Sequence, residues 1–585
     1  MKECGLKKLI KIAYSHMKYL FFAIFAIFVM ASLMPIICYH PGWNLDDSVW
    51  IMRMFKYEPF KFLLEQYNPI IAASDRYFPL YQLDVQVLSF ATTNPTYIFF
   101  YKYILALCSL SIMSLLLFKN IKSSSIYYVL LLLGTPSFVT SFYRLPPHES
   151  TLLILWTLYI FLQVYKFSIP YKWVRWFSLI PLNIALYMKE TSFIIPLVMS
   201  IGGIFLYYRY FKTRKSGQVS MFGNDIKLYY LSLGSVLLHN IQMGIVIISS
   251  GFAEGSYHSV ITPDSHGFIY YLSRNITLYT LSDPIIIFVL PAIMIYANYR
   301  IYSHGSFHAG YNIEMSTMNV ISITAIFFML SYIFLGIHST HYLLPVYPFA
   351  ILSISGYLDI LKRLPKVNVV YRSNHYRIKV VLVLFGIILL LNSAAISINE
   401  ILYTRTKSLN YTRYSEYLIN YLEDHRPKNR NELIKIYTPG KRLNPASYSA
   451  RMIINMLGMS AGSNYDNDIY NDNWQLPMQI KGNDQIDLSF GYDYLSGNGI
   501  KEIEEESYES GDLLMLLPDT DISHEDIMSN FRKIKTRYLL KSCDELYQLP
   551  ELSVLVKYVI LKFSPKMINT SLNYRHACFS IVKIE

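Results

Sequence analysis

From its start to about residue 400 the chain alternates apolar runs of about 15 to 20 residues with short polar connectors, the pattern of α-helices that cross a hydrocarbon layer about 30 Å thick. The runs predict spans near residues 19–38, 98–118, 125–143, 150–165, 228–250, 284–299, 318–337, 342–358 and 379–398. Between Phe177 and Tyr208 the sequence is apolar on both sides of Lys189–Glu190 and has a basic connector at each end. A single crossing would leave one basic flank on the far side, so a hairpin of two short helices turning at Lys189–Glu190 is expected. That makes about eleven crossings. After residue 398 the long apolar runs stop. Short pieces such as "LIKIYTP", "DLLMLLP", "VLVKYVILKF" and "FSIVKIE" then lie between polar helical stretches, which predicts a small α/β domain over 399–585 behind a membrane part over 1–398. No internal repeat or low-complexity linker interrupts this order.

Charge orients the spans. The opening "MKECGLKKLIKIAYSHMK" carries five lysines and stays cytoplasmic, and the first apolar run lacks a small-residue cleavage site, so it reads as a retained signal anchor. Residues 39–97 then fall outside. So do "RLPPHES", the Lys189–Glu190 turn, 251–283 and "GIHST", while the basic "KNIKSSS", "KFSIPYKWVRW", "RYFKTRKSG" and "KRLPKVNVVYRSNHYRIK" fall inside. An odd number of crossings places the C-terminal domain outside. With 53% hydrophobic and 16% charged residues and a mean hydropathy of +0.29, composition excludes an ordinary soluble enzyme. The net charge of +12 resides largely in the inner connectors, so it calls for membrane lipids and no nucleic acid. The five cysteines show no metal-ligand spacing, and Cys543 with Cys578 is the one pair suited to a disulfide.

With this topology the polar groups next to apolar helix ends collect on the outer face: Asp46 and Asp47 in "NLDDSVW", Asp75, Arg76 and Asp84 in "SDRYFPLYQLD", Arg144, His148 and Glu149 in "YRLPPHES", Lys189 and Glu190 in "MKETS", and His338 and His341 in "HSTHYLLPVYP". Charges at membrane depth are costly and tend to be paired, water-facing and functional. Each has a plainer reading beside it. Adjacent aspartates after a helix suit a solvated turn or an N-cap, Lys189–Glu190 an ion pair at a hairpin turn, Arg144 an interfacial anchor, and His341 a satisfied interfacial imidazole. The 52 tyrosines read first as interfacial belts and packing.

The order of these short motifs, "NLDDSVW", "DRYFP", "PPHES", "MKETSFIIP" and "HYLLPVYP", resembles the GT-C superfamily of membrane glycosyltransferases over roughly residues 15–400. The resemblance implies a GT-C-like fold and transfer of a sugar from a polyprenyl-phosphate donor to a hydroxyl of a surface-glycan or lipid-linked acceptor. Transfer would proceed with inversion in a single displacement. Asp46 would be the base and Asp47 would orient it or bind the acceptor, with the converse assignment open. Sugar transfer needs such a base at the attacking oxygen. The leaving phosphate needs cations, a role for Lys189, Arg144 and Arg76, and by resemblance for His341, where many relatives carry arginine. Glu149 and Glu190 would support them. An acidic pair also suits a hard divalent cation, so a cation stays open as cofactor and no metal site is assigned. The chain looks like the bacterial inner-membrane enzymes that decorate lipopolysaccharide O-antigen, such as serotype-converting glucosyltransferases, with the site facing the periplasm. A flippase or transporter for polyprenyl-linked glycan, and a polymerase or ligase, are the alternatives. The first would place charges near the bilayer midplane and show repeated halves, and the second would not need the early aspartate pair.

Overall fold

The computed structural model describes residues 26–38 except 28, 79–80, 83–89, 95–120, 128–143, 148–164, 172–211, 225–250, 268–303, 309–335, 340–364 and 373–424. Beyond these it describes short segments between 434 and 585, most of them strands. The helices are α1 (Val29–Cys38), α2 (Leu83–Ser89), α3 (Pro95–Asn120), α4 (Tyr128–Leu133), α5 (Pro136–Phe142), α6 (Glu149–Val164), α7 (Leu179–Met188), α8 (Ile194–Leu206), α9 (Ile226–Ser250), α10 (Phe268–Ser282), α11 (Leu290–Ser303), α12 (Ala309–Phe334), α13 (Tyr347–Arg363) and α14 (Ser373–Asp424). Among the described residues six helical stretches are long and apolar enough to cross a membrane: Thr96–Leu117, Glu190–Tyr210, Ile285–Ser303, Ile313–Phe334, Thr340–Arg363 and Val383–Leu418. The predominantly helical, multi-span character expected from the apolar runs is thus present in coarse form.

Individual spans differ from the sequence reading for local reasons. The run over 125–143 is not one helix, because it breaks between α4 and α5. Pro136 has no N–H to continue a helix, and the Thr135 side chain accepts from Phe138 N and caps α5. Helix α6 has only 16 residues, about 24 Å of rise, yet its inner face, including Trp156 and Tyr159, is wholly buried. Helix α9 is 25 residues long and carries His239, Asn240 and Gln242 within an otherwise largely apolar sequence.

The Lys189–Glu190 region is a reversal. Trp176, in the 3-10 turn Lys172–Ser178 ahead of α7, donates to Asp225 at the start of α9 (3.1 Å). Tyr208, in the π-turn Tyr207–Phe211 after α8, pairs with Tyr230 in the same region (3.3 Å). Tyr187, at the far end of α7, instead donates to Gln242 (2.7 Å). Helix α7 therefore runs along α9 in one sense and α8 returns in the other. Two adjacent glycines let α8 fit between neighbours, since a Cβ on Gly203 would meet the Tyr229 ring of α9 at 2.6 Å and one on Gly202 would collide with Val320 of α12. Reporter fusions after Lys166 and after Lys215 are accordingly expected to report the same side of the membrane; opposite sides would refute the hairpin.

The proposed boundary at 398/399 falls inside one helix, because α14 continues for 52 residues, about 78 Å, far more than a bilayer needs. Its later half is the seat for a six-stranded sheet. The strands are β1 (Ile434–Thr438), β2 (Ser460–Gly462), β3 (Gln485–Phe490), β4 (Leu513–Leu516), β5 (Thr536–Ser542) and β8 (Phe579–Ile584), in the order β2-β3-β1-β4-β8-β5, while β6 (Glu545–Tyr547) and β7 (Tyr574–His576) pair separately. The first four strands are parallel where they pair, and β8 runs antiparallel to both β4 and β5. Tyr411 and Tyr414 of α14 pack on Phe579, with ring centroids 5.8 and 5.5 Å away, and Ser542 donates to Asn410 (2.8 Å). Asn399 exchanges two hydrogen bonds with the Leu549 backbone. Cys578 is disulfide-bonded; Cys543, its expected partner, and the strand expected at "VLVKYVILKF" lie outside the described residues.

Candidate functional site

Helix α6 opens on Glu149, and the break between α7 and α8 leaves Lys189 in an extended conformation (φ −156°, ψ 130°) with its side chain free of any helical constraint on direction. These two residues, 40 apart in sequence, meet: Lys189 Nζ donates to Glu149 Oε1, with both side chains almost wholly buried, at 2% and 1% exposure. His148 Nε2 lies 3.6 Å from the same oxygen. Burying two ions costs several kcal/mol each, and the mutual attraction offsets this only with close geometry and further hydrogen bonds. Glu149 Oε2, also buried, has no hydrogen-bond donor among the described residues, whereas most buried acceptors do.

A second wall comes from α12 and the 3-10 helix Thr340–Val346. Tyr332 and Tyr342 stack in parallel (centroids 4.9 Å apart, planes 3° from parallel), and Lys189 Nζ lies 3.8 Å from the Tyr342 ring centroid and 5.8 Å from that of Tyr332. An ammonium over an aromatic face is held by the ring quadrupole, and more strongly where water is excluded. His341 packs against Tyr342 with ring centroids 4.3 Å apart and, like His148 and Lys189, lies close enough for a positive charge on it to bear on the Glu149 carboxylate. Thr191 shares a hydrogen bond with Tyr332 (2.6 Å), which ties the turn after Lys189 to the end of α12.

Two carboxylates flank this cluster. Asp84 Oδ2 accepts from Tyr101 (2.9 Å) and from Thr151, two residues beyond Glu149. Leu80 N donates to Tyr187 O (2.9 Å), which holds the stretch before α2 against the end of α7. Glu190 lies on another side of the turn, where it interacts electrostatically with His239 of α9.

Of the residues singled out from sequence, the fold thus brings Glu149, Lys189 and His341 together, sets Glu190 beside His239, and leaves Asp46, Asp47, Arg76 and Arg144 outside the described residues. His148, noted in sequence only as one of the outer-face polar groups, joins them, and Thr191, Tyr332 and Tyr342 take part although nothing in the sequence singles them out. Tyr342 stands in a motif already quoted, but one tyrosine among 52 carries no label in sequence. Among the described residues no group of three or more His, Cys, Asp or Glu is arranged to hold a metal ion.

No protein-family model and no curated protein matches the chain. The fold and site together define a predominantly helical protein, compatible with membrane insertion, with a buried Lys–Glu pair and an aromatic stack where several apolar helices end.

Proposed function

We propose that this chain is an inverting glycosyltransferase of the GT-C type, taking sugar from a polyprenyl-phosphate donor at the outer face of a bacterial inner membrane. The observation that carries the proposal is the convergence of Lys189, His341 and His148 on Glu149, at the ends of apolar helices. With both imidazoles protonated, three positive groups stand around one carboxylate, an excess suited to the charge that develops on a departing lipid phosphate. In this reading Asp46 removes the proton from the acceptor hydroxyl, the hydroxyl oxygen bonds to the anomeric carbon, and the bond from that carbon to the phosphate oxygen breaks. Polyprenyl phosphate leaves with the electron pair. Tyr342 and Tyr332 hold the Lys189 ammonium in place, and Arg144 and Arg76 complete the phosphate site. The C-terminal sheet lies in the periplasm, where a disulfide at Cys578 suits the oxidising compartment.

The direct test is glycan analysis of the surface polysaccharide from cells with and without this chain. An added sugar that depends on the chain supports the proposal; identical glycans in both would remove it. A finer expectation concerns His341. His341→Arg supplies a permanent cation and is expected to preserve or raise transfer, while His341→Ala lowers it roughly ten- to a hundredfold, the value of one charge-assisted hydrogen bond. If the arginine variant is inactive and the alanine variant unimpaired, His341 serves packing only.

A further inference from the structure

We propose that Asp283 is a positioning residue for the turn that carries His341 and Tyr342, an inference that builds on the site described above but is testable without its activity. Asp283 lies between α10 and the π-turn Ile285–Val289 and is fully buried, as are Ser137 and Tyr347. Its two carboxylate oxygens serve different elements: Oδ2 accepts from Ser137 of α5, and Oδ1 accepts from Tyr347, the first residue of α13. Tyr347 follows directly on the 3-10 helix Thr340–Val346, so whatever fixes Tyr347 fixes the base of that helix. One turn further along α5, Thr140 meets Thr340 at the top of the same 3-10 helix (3.2 Å). The turn bearing His341 and Tyr342 is therefore held against α5 at both ends, by the Asp283 bridge below and by the threonine pair above.

The chemistry explains why a carboxylate stands there. An ionised carboxylate accepts at two oxygens and donates nothing, so it joins two hydroxyl donors from separate elements where an apolar side chain would join neither. Burying it is costly unless both bonds form, which favours one spacing between α5 and α13 over its alternatives. The neighbouring chain is fastened as well. Asn392 and Ser397 of α14 donate to Leu281 O (2.6 Å) and Gly134 O (2.8 Å), which hold the segments carrying Asp283 and Ser137. The base of Thr340–Val346 is then set by packing that reaches the long helix, and the place of Tyr342 over Lys189 follows from it.

The test uses the full chain in membranes, with Cys4, Cys38 and Cys108 replaced by serine and Thr140→Cys and Thr340→Cys introduced. Oxidative cross-linking of this pair reports how closely the turn is held to α5. A second chain with Asn298→Cys and Asn319→Cys serves as control, because those side chains exchange two hydrogen bonds of 3.0 Å between α11 and α12, away from the bridge. Asp283→Ala and the milder Tyr347→Phe are each expected to slow cross-linking at 140–340 roughly three- to tenfold, the population change that loss of one buried hydrogen bond produces, and to leave 298–319 unchanged. An unchanged rate at 140–340 in both variants overturns the proposal. So does an equal fall at both pairs, since Asp283 would then support the fold as a whole. If 140–340 alone loosens in a chain that transfers no sugar, the positioning role stands and the glycosyltransferase reading falls.

Discussion

Replacement of Lys189 by methionine is expected to destabilise the chain by about 3–5 kcal/mol and to reduce transfer about ten- to a hundredfold. The stability loss follows from burial. Glu149 is 1% exposed and would lose its closest cation in a place where water cannot replace the lost partner, so it must either stay charged and unpaired or take up a proton, and both are costly. Methionine nearly matches lysine in length, so the change removes the charge and its hydrogen bond while filling much of the same space. The double variant Lys189→Met/Glu149→Gln removes both charges and is expected to recover most of the stability without recovering transfer, since the cation for the donor phosphate is absent from both. Thermal unfolding of the solubilised protein measures the first effect and sugar transfer from polyprenyl phosphate the second. A single variant as stable as the parent would mean that the two groups do not form a buried pair. A double variant with full activity would mean that the pair is structural and the phosphate is held elsewhere.

Asp46→Asn and Asp47→Asn are expected to be equally decisive for chemistry and nearly silent for stability. Removing a positioned general base costs about two to four orders of magnitude in rate, and asparagine keeps the volume of aspartate while losing its capacity to take a proton. The variant in which the true base is lost should be inactive, and the other should retain partial activity if its carboxylate only orients the first or binds the acceptor. Both should insert and accumulate at the parental level. Wild-type transfer by both single variants and by the double variant would show that another group removes the proton. Asp84 would then be the carboxylate to test next, because Thr151 and Tyr101 hold it close to the Glu149 end of α6.

Much of the helical framework was legible in sequence because solvent preference is a local property. An apolar run such as "YIFFYKYILALCSLSIMSLLL" has only one way to satisfy its backbone in lipid, as a helix. The same logic marked Lys189–Glu190 as a reversal, since two basic flanks cannot both stay inside across one span, and the contacts of Trp176, Tyr187 and Tyr208 with α9 agree with it. The break at Pro136 is also written locally, in a threonine followed by proline, but hydropathy averages across it. The continuity of α14 through residue 398 was not legible. Polarity changes there, but the helix persists because tyrosines and asparagines beyond that point pack against the sheet.

Sequence by itself determined that Glu149, Lys189 and His341 each stand next to an apolar helix end, and that charges so placed need partners. It did not determine which partners. Glu149 was as free, on sequence alone, to pair with Arg144 as with Lys189, and Glu190 was as eligible as Glu149. Tertiary structure decided the matter by bringing α6, the α7–α8 break and the Thr340–Val346 turn to one place, where the extended backbone at Lys189 aims its ammonium at Glu149 and over Tyr342. It also found Asp283, which sequence left as an ordinary residue in an external connector, between hydroxyls from two other elements. The physical reason is range. Hydropathy and turn chemistry act within a few residues and can be read along the chain, whereas a buried charge is satisfied by groups 40 to 146 residues away, which only packing brings within hydrogen-bond reach.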